Sequence, residues 1–139
     1  MNDRDQKAKL SGFQFTSPQV SEFRFKINQS YSSDNDQDTL PISFNLNKGS
    51  VSSESSGALQ QHVELKMRIG EDASPFIFYA VIGADFRWNR ELDDNTVNKL
   101  INTNAVSLLI GYLRPIIAQF TVQAGMAPLN LPFIDLTRA

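Results

Sequence analysis

Apolar and polar residues alternate through the first two thirds of the chain, and the spacing then turns helical. Phe13 and Phe15 alternate with Gln14 and Thr16 before Pro18 interrupts, and Phe23, Phe25 and Ile27 resume the alternation against Glu22, Arg24, Lys26 and Asn28. After a polar loop at residues 28–39, Ile42, Phe44 and Leu46 mark a second short strand. Residues 47–57 are rich in Ser and Gly and read as a flexible connection that extends the strand toward Val51. A third strand places Leu59, Val63, Leu65, Met67 and Ile69 on one face, with Gln60, His62, Glu64, Lys66 and Arg68 on the other. Residues 70–75 (GEDASP) form a turn. The fourth strand is the most apolar, with Phe76, Phe78, Ala80, Ile82, Ala84, Phe86 and Trp88 on one side. Its other side carries Ile77, Tyr79 and Val81 before turning polar at Asp85 and Arg87.

Asp93 or Asp94 is positioned to cap a short helical turn holding Val97, Leu100 and Ile101. A long helix then opens at Asn104. Ala105, Leu109, Tyr112, Leu113, Ile116, Phe120 and Ala124 recur at three- and four-residue intervals along one face. Beside them runs a stripe of small or hydroxylated residues, Thr103, Ser107, Gly111, Ala118 and Thr121, with Arg114 among them. Small side chains let a second backbone approach, so the helix is expected to pack on its own sheet and on another subunit through Ser107, Gly111, Arg114 and Ala118. Pro115 removes a donor and presses on the Gly111 carbonyl, which predicts a kink near Tyr112 and Arg114. Gly125 caps the helix, and Pro128 and Pro132 keep the following segment extended. Strands first and a helix last, without a βαβ rhythm, predict an α+β fold. It would be a four-stranded antiparallel sheet with the long kinked C-terminal helix packed on one face.

The 139 residues suit one domain, residues 11–139, preceded by a polar tail at residues 1–10. The 13 basic residues are dispersed among 15 acidic ones, so no basic stripe indicates a nucleic-acid partner. With no cysteine, thiol catalysis, disulfides and thiolate metal sites are excluded. The first ten residues lack a signal-peptide apolar core, and Arg114 and Pro115 interrupt the helix as a membrane span. A soluble cytoplasmic protein without membrane insertion is expected.

The candidates for chemistry are thin. Asp34, Asp36 and Asp38 alternate like the start of a calcium loop, but Thr39 stands where its glycine belongs and Asn45 where its glutamate belongs. His62 is the only histidine, without a neighbouring carboxylate or thiol that the sequence places beside it. The serines between Ser50 and Ser56 lack a nucleophile elbow, and Gly70, Gly83 and Gly125 form no phosphate loop. No catalytic set, cofactor or metal site is expected.

Tyr112-x-Arg114, followed by Ile117, Gly125, the run Leu129-Asn130-Leu131 and Ile134-Asp135, resembles the main helix and following loop of SecB-type export chaperones. The resemblance implies a soluble homo-oligomeric holdase, dimer or tetramer. Such proteins keep unfolded or precursor polypeptides from collapsing without ATP, and they can hand them to the export ATPase SecA. Client contact falls on Phe44, Leu46 and Val51, and on Met126, Leu129, Leu131 and Phe133 after the helix, where a proline-stiffened apolar loop leaves a groove. The chain departs from the family in three ways. It ends at Leu136-Thr137-Arg138-Ala139 without a second helix and acidic tail, its strands carry outward charges of both signs, and Gly111 replaces a frequent proline. These departures leave a second reading open: a SecB-fold protein dedicated to one partner, such as a toxin–antitoxin-associated chaperone. An enzyme or small-ligand protein on the same sheet is a third.

Overall fold

The computed structural model of the chain describes residues 9–31 and 40–136. The calcium-like aspartates at 34, 36 and 38, most of the N-terminal tail and the last three residues lie outside the described residues. Six strands come first: β1 (Phe13–Phe15), β2 (Gln19–Ile27), β3 (Ile42–Lys48), β4 (Ser52–Ser53), β5 (Leu59–Ile69) and β6 (Phe76–Trp88). They form one antiparallel sheet with β6 and β5 at its centre. β1 and β2 share one edge of β6, and β3 and β4 share the far edge of β5. The expected four strands are therefore four rows made of six strands, because each outer row is broken. Pro18, which has no amide to donate, separates β1 from β2. The Gly49–Val51 stretch separates β3 from β4. A further irregularity near Ser21, between Val20 and Glu22, restores Phe23 and Phe25 to the side of the sheet that β6 buries.

Register explains the burial. Directly paired residues point to the same face, so Phe25, Phe78 and Ile69 line up across the sheet, as do Val20, Ile82, Leu65 and Leu46. Val63, Leu65, Met67, Ile69, Phe78 and Ile82 are completely or almost completely removed from water. The turn between β5 and β6 depends on Gly70, whose φ of +93° and 2.1 Å approach of a built Cβ to the Phe76 carbonyl admit no side chain.

The helical part begins at the expected cap but is continuous where two pieces were expected. Asp93 caps α1 (Asp94–Leu100) by accepting the Thr96 amide at 2.7 Å, a π-helical turn follows at Ile101–Ala105, and α2 (Val106–Gln123) continues directly. The short turn and the long helix are thus one 30-residue helix, Asp94–Gln123. Its irregularity lies at the π-turn, upstream of the expected kink, while Pro115 is carried within α2.

Leu109, Leu113 and Ile117 are completely buried on the sheet, and Val106 and Ile110 nearly so. Each such side chain contributes about 1.5–3 kcal/mol through removal from water. At its π-turn the helix lies beside the end of β3, where Lys48 Nζ donates to Asn102 Oδ1 at 2.8 Å. It finishes over β2, where the Phe120 ring lies 4.4 Å from that of Phe23 and 6.2 Å from that of Phe25. The helix crosses one face of the sheet diagonally and leaves the other face uncovered by any described element.

Candidate functional site

Two consequences of this helix position the candidate site. The first is its end. Gly125 takes a φ of +85°, its amide donates to the Val122 carbonyl at 3.0 Å, and the Met126 amide donates to the Thr121 carbonyl at 2.9 Å. This double bond pattern closes the helix and reverses the chain. The segment after it runs back along one flank of α2. The Leu129 amide donates to Thr121 Oγ1 at 2.9 Å, and the Arg114 guanidinium donates to the carbonyls of Leu131 and Pro132, the second at 3.0 Å.

Of the residues expected there, Leu131 is only 6% exposed and belongs to the core, and Met126 and Leu129 are half-buried against that core. Phe133 is the reverse case: at 101% exposure its ring touches essentially nothing. On the far edge of the sheet, Phe44 and Leu46 point to the helix-covered face and are half-buried, while Val51 stands exposed between β3 and β4.

The second consequence is the outward face of α2. Ser107, Gly111 and Pro115 are exposed, Ala118 is half-buried, and Tyr112 and Val122 are large apolar side chains left in water. A Cβ built on Gly111 meets nothing within 4 Å, so its small size serves no packing inside the subunit. Arg114 is the only charged residue in α2, and it is engaged by its own chain's carbonyls. The outward face is therefore uncharged along its whole length. By length and composition alone the helix Asp94–Gln123 is apolar enough to cross a membrane, and 39% of its most apolar window is buried inside the molecule.

The uncovered sheet face is polar. Around Tyr79 stand Arg24, Lys26, Lys66 and Arg68, with Glu22 paired to Arg24 at 2.6 Å and the Arg24 guanidinium 5.8 Å from the Tyr79 ring centre. At the other end His62 Nδ1 lies 2.8 Å from Asp85 Oδ1, and His62 Nε2 lies 3.6 Å from Glu64 Oε1. The sequence reading missed this pair because Asp85 is 23 residues away and only the β5–β6 register sets it opposite His62. The cluster is open to water, and the Thr16 hydroxyl beside it accepts the Asp85 amide at 3.1 Å. Among the described residues no group of three or more His, Asp or Glu side chains is arranged to hold a metal ion.

An antiparallel sheet crossed on one face by a single long helix, with an apolar segment folded back beside that helix, is a SecB-like fold. Among the solved structures similar to the chain, two illustrate it. One is the SecB-like chaperone Rv1957 of Mycobacterium tuberculosis in complex with a ChAD peptide from the Rv1956 HigA1 antitoxin, at 14% identity and a TM-score of 0.55, covering 88% of this chain and 91% of that one. The other is a Streptococcus agalactiae protein of unknown function, at 13% identity and a TM-score of 0.57, covering 87% and 97%. No protein-family model matches the chain, and no curated protein does.

Proposed function

We propose that this chain is a cytoplasmic, ATP-independent holdase that binds unfolded polypeptide segments at the apolar surface formed by the post-helix segment and the β3–β4 edge. The observation that carries this reading is the segment after Gly125. It lays an extended apolar stretch along α2, anchors it by main-chain bonds and leaves the Phe133 ring wholly in water. Exposed apolar surface with non-directional contacts accepts many sequences, which a holdase requires. Phe44, Leu46 and Val51 on one side, and on the other the groove beside α2 that Met126, Leu129 and Leu131 fill, with the exposed Phe133 at its end, are the proposed client surface. The uncharged outer face of α2, with Ser107, Gly111 and Ala118, is proposed to join subunits into a homo-oligomer, dimer or tetramer.

A second reading, a chaperone dedicated to one protein, is favoured by the neighbour whose bound ligand is an antitoxin peptide. The mixed-sign sheet face also offers no uniformly acidic docking surface for the export ATPase SecA. Binding of a permanently unfolded, carboxymethylated protein, followed by fluorescence anisotropy, separates the two. Saturable binding to several unrelated unfolded chains supports the general holdase. Indifference to all of them, with tight binding to one co-purifying protein, supports the dedicated chaperone.

A further inference from the structure

We propose that the segment from Met126 to Ile134 is a built-in pseudo-client: it occupies the groove beside α2 and is exchanged for an incoming polypeptide, with Arg114 and Thr121 as the residues that read main chain. This rests on the holdase reading above and specifies the client and its regulation.

Both anchors ignore side-chain identity. Arg114 donates to two backbone carbonyls, and the Thr121 hydroxyl accepts a backbone amide. Any polypeptide carries those groups at every non-proline residue, so the same pair serves any sequence. The spacing of the anchors selects conformation instead. Arg114 and Thr121 are two helical turns apart, about 10 Å along the axis. From the Leu129 amide to the carbonyls of Leu131 and Pro132 is about 8 Å of extended chain. An extended segment antiparallel to α2 meets both anchors, and a helical one is too short.

The side chains repeat the argument. Leu131 is buried and Leu129 half-buried, while Asn130 and Pro132 between and after them are exposed, which is a strand-like alternation. The expected client is therefore an extended stretch with apolar residues at alternate positions. From Ala127 onward the segment can leave without breaking secondary structure, because it belongs to no helix or sheet ladder and Pro128 and Pro132 donate no amide, while the Met126 amide stays on the Thr121 carbonyl as the helix cap. Departure alone would leave the Arg114 guanidinium without the Leu131 and Pro132 carbonyls and the Thr121 hydroxyl without the amide it accepts, so exchange for a client's main chain is favoured over simple opening. Occupation by the strap also raises the apparent dissociation constant for every client, to the intrinsic value divided by the fraction of time the groove is free.

Amide hydrogen exchange on the full chain tests this, with a carboxymethylated, permanently unfolded protein as the probe. In the free protein the Leu129 amide is protected by Thr121. At saturating probe its protection is expected to fall at least tenfold while the amides of β5 and β6 stay protected. Binding with unchanged Leu129 protection overturns the strap and leaves the holdase reading standing; no binding at all overturns both. As a second measurement, Leu131→Ser weakens the strap without touching its anchors and should tighten probe binding about tenfold, a 1.4 kcal/mol shift. Equal or weaker binding by the folded variant contradicts the proposal. Should that variant fail to fold, the exchange measurement on the unaltered chain still decides.

Discussion

The hydroxyl of Thr121, completely buried, accepts the amide of Leu129 at 2.9 Å while lying 3.1 Å and 2.9 Å from the carbonyls of Ile117 and Ala118 in its own helix. One oxygen thus ties the last turn of α2 to the returning segment. Thr121→Val keeps the shape and removes the hydroxyl, leaving the Leu129 amide without its acceptor. The expected loss is about 1–2 kcal/mol, read as a lower urea midpoint with an unchanged slope. An unaltered midpoint would mean that the segment is not held through this contact.

Gly111 offers a sharper separation of subunit from assembly. It sits exposed in the middle of α2 with no neighbour near its Cβ direction. Gly111→Leu should therefore stabilise the isolated subunit by roughly 0.5–1 kcal/mol through helix propensity. On the proposed helix-to-helix interface it should at the same time shift the assembly to a smaller mass, measured by light scattering after gel filtration. An unchanged oligomer mass argues against this face as the interface.

At the other end of the long helix, Thr96 holds the Asp93 carboxyl below the usual carboxylate range, first through its side chain and then through its backbone amide. A group with a lowered folded pKa contributes stability that is present above its unfolded pKa and is lost as the pH falls through the folded value. Asp93→Asn retains an acceptor for the cap, so its stability should depend less on pH below about 4 than that of the unaltered chain. Denaturant midpoints across pH 2–6 check the sign.

The His62–Asp85 pair tests whether the open sheet face takes part in client binding. Both side chains are substantially exposed, 51% and 37%, so their contact is screened by water. His62→Gln should change stability by less than about 1 kcal/mol and leave client binding intact. Loss of binding to unfolded chains in this variant would move the functional site to the open sheet face.

Much of the fold was legible because it rests on local rules. Period-two alternation located the β5 and β6 faces residue by residue, Asp93 and Gly125 announced the helix ends through their capping chemistry, and strands before helix pointed to the layered architecture. What escaped the sequence is set by distant partners or by small local irregularities. The interruption at Pro18 was visible, but not the bulge near Ser21 or the pairing of both pieces along one edge of β6. The π-turn at Ile101–Ala105 merges two expected helices, because Asn102, Thr103 and Asn104 look like a boundary when read alone. Arg114 read as an interface or surface residue, and its actual partners are carbonyls 17 and 18 residues onward that only the chain reversal at Gly125 brings back. The candidate client residues were visible as an apolar, proline-stiffened run, but the division between buried Leu131 and exposed Phe133 follows from how that run lies against α2.

The most direct measurement is a refolding assay. A denatured, slow-folding protein is diluted into buffer with and without this chain, in the absence of nucleotide, and light scattering is followed. Suppression of aggregation at near-stoichiometric amounts is the result a general holdase predicts. Scattering that rises unchanged at a several-fold excess of the folded chain contradicts it, and leaves the dedicated-partner chaperone as the function to pursue.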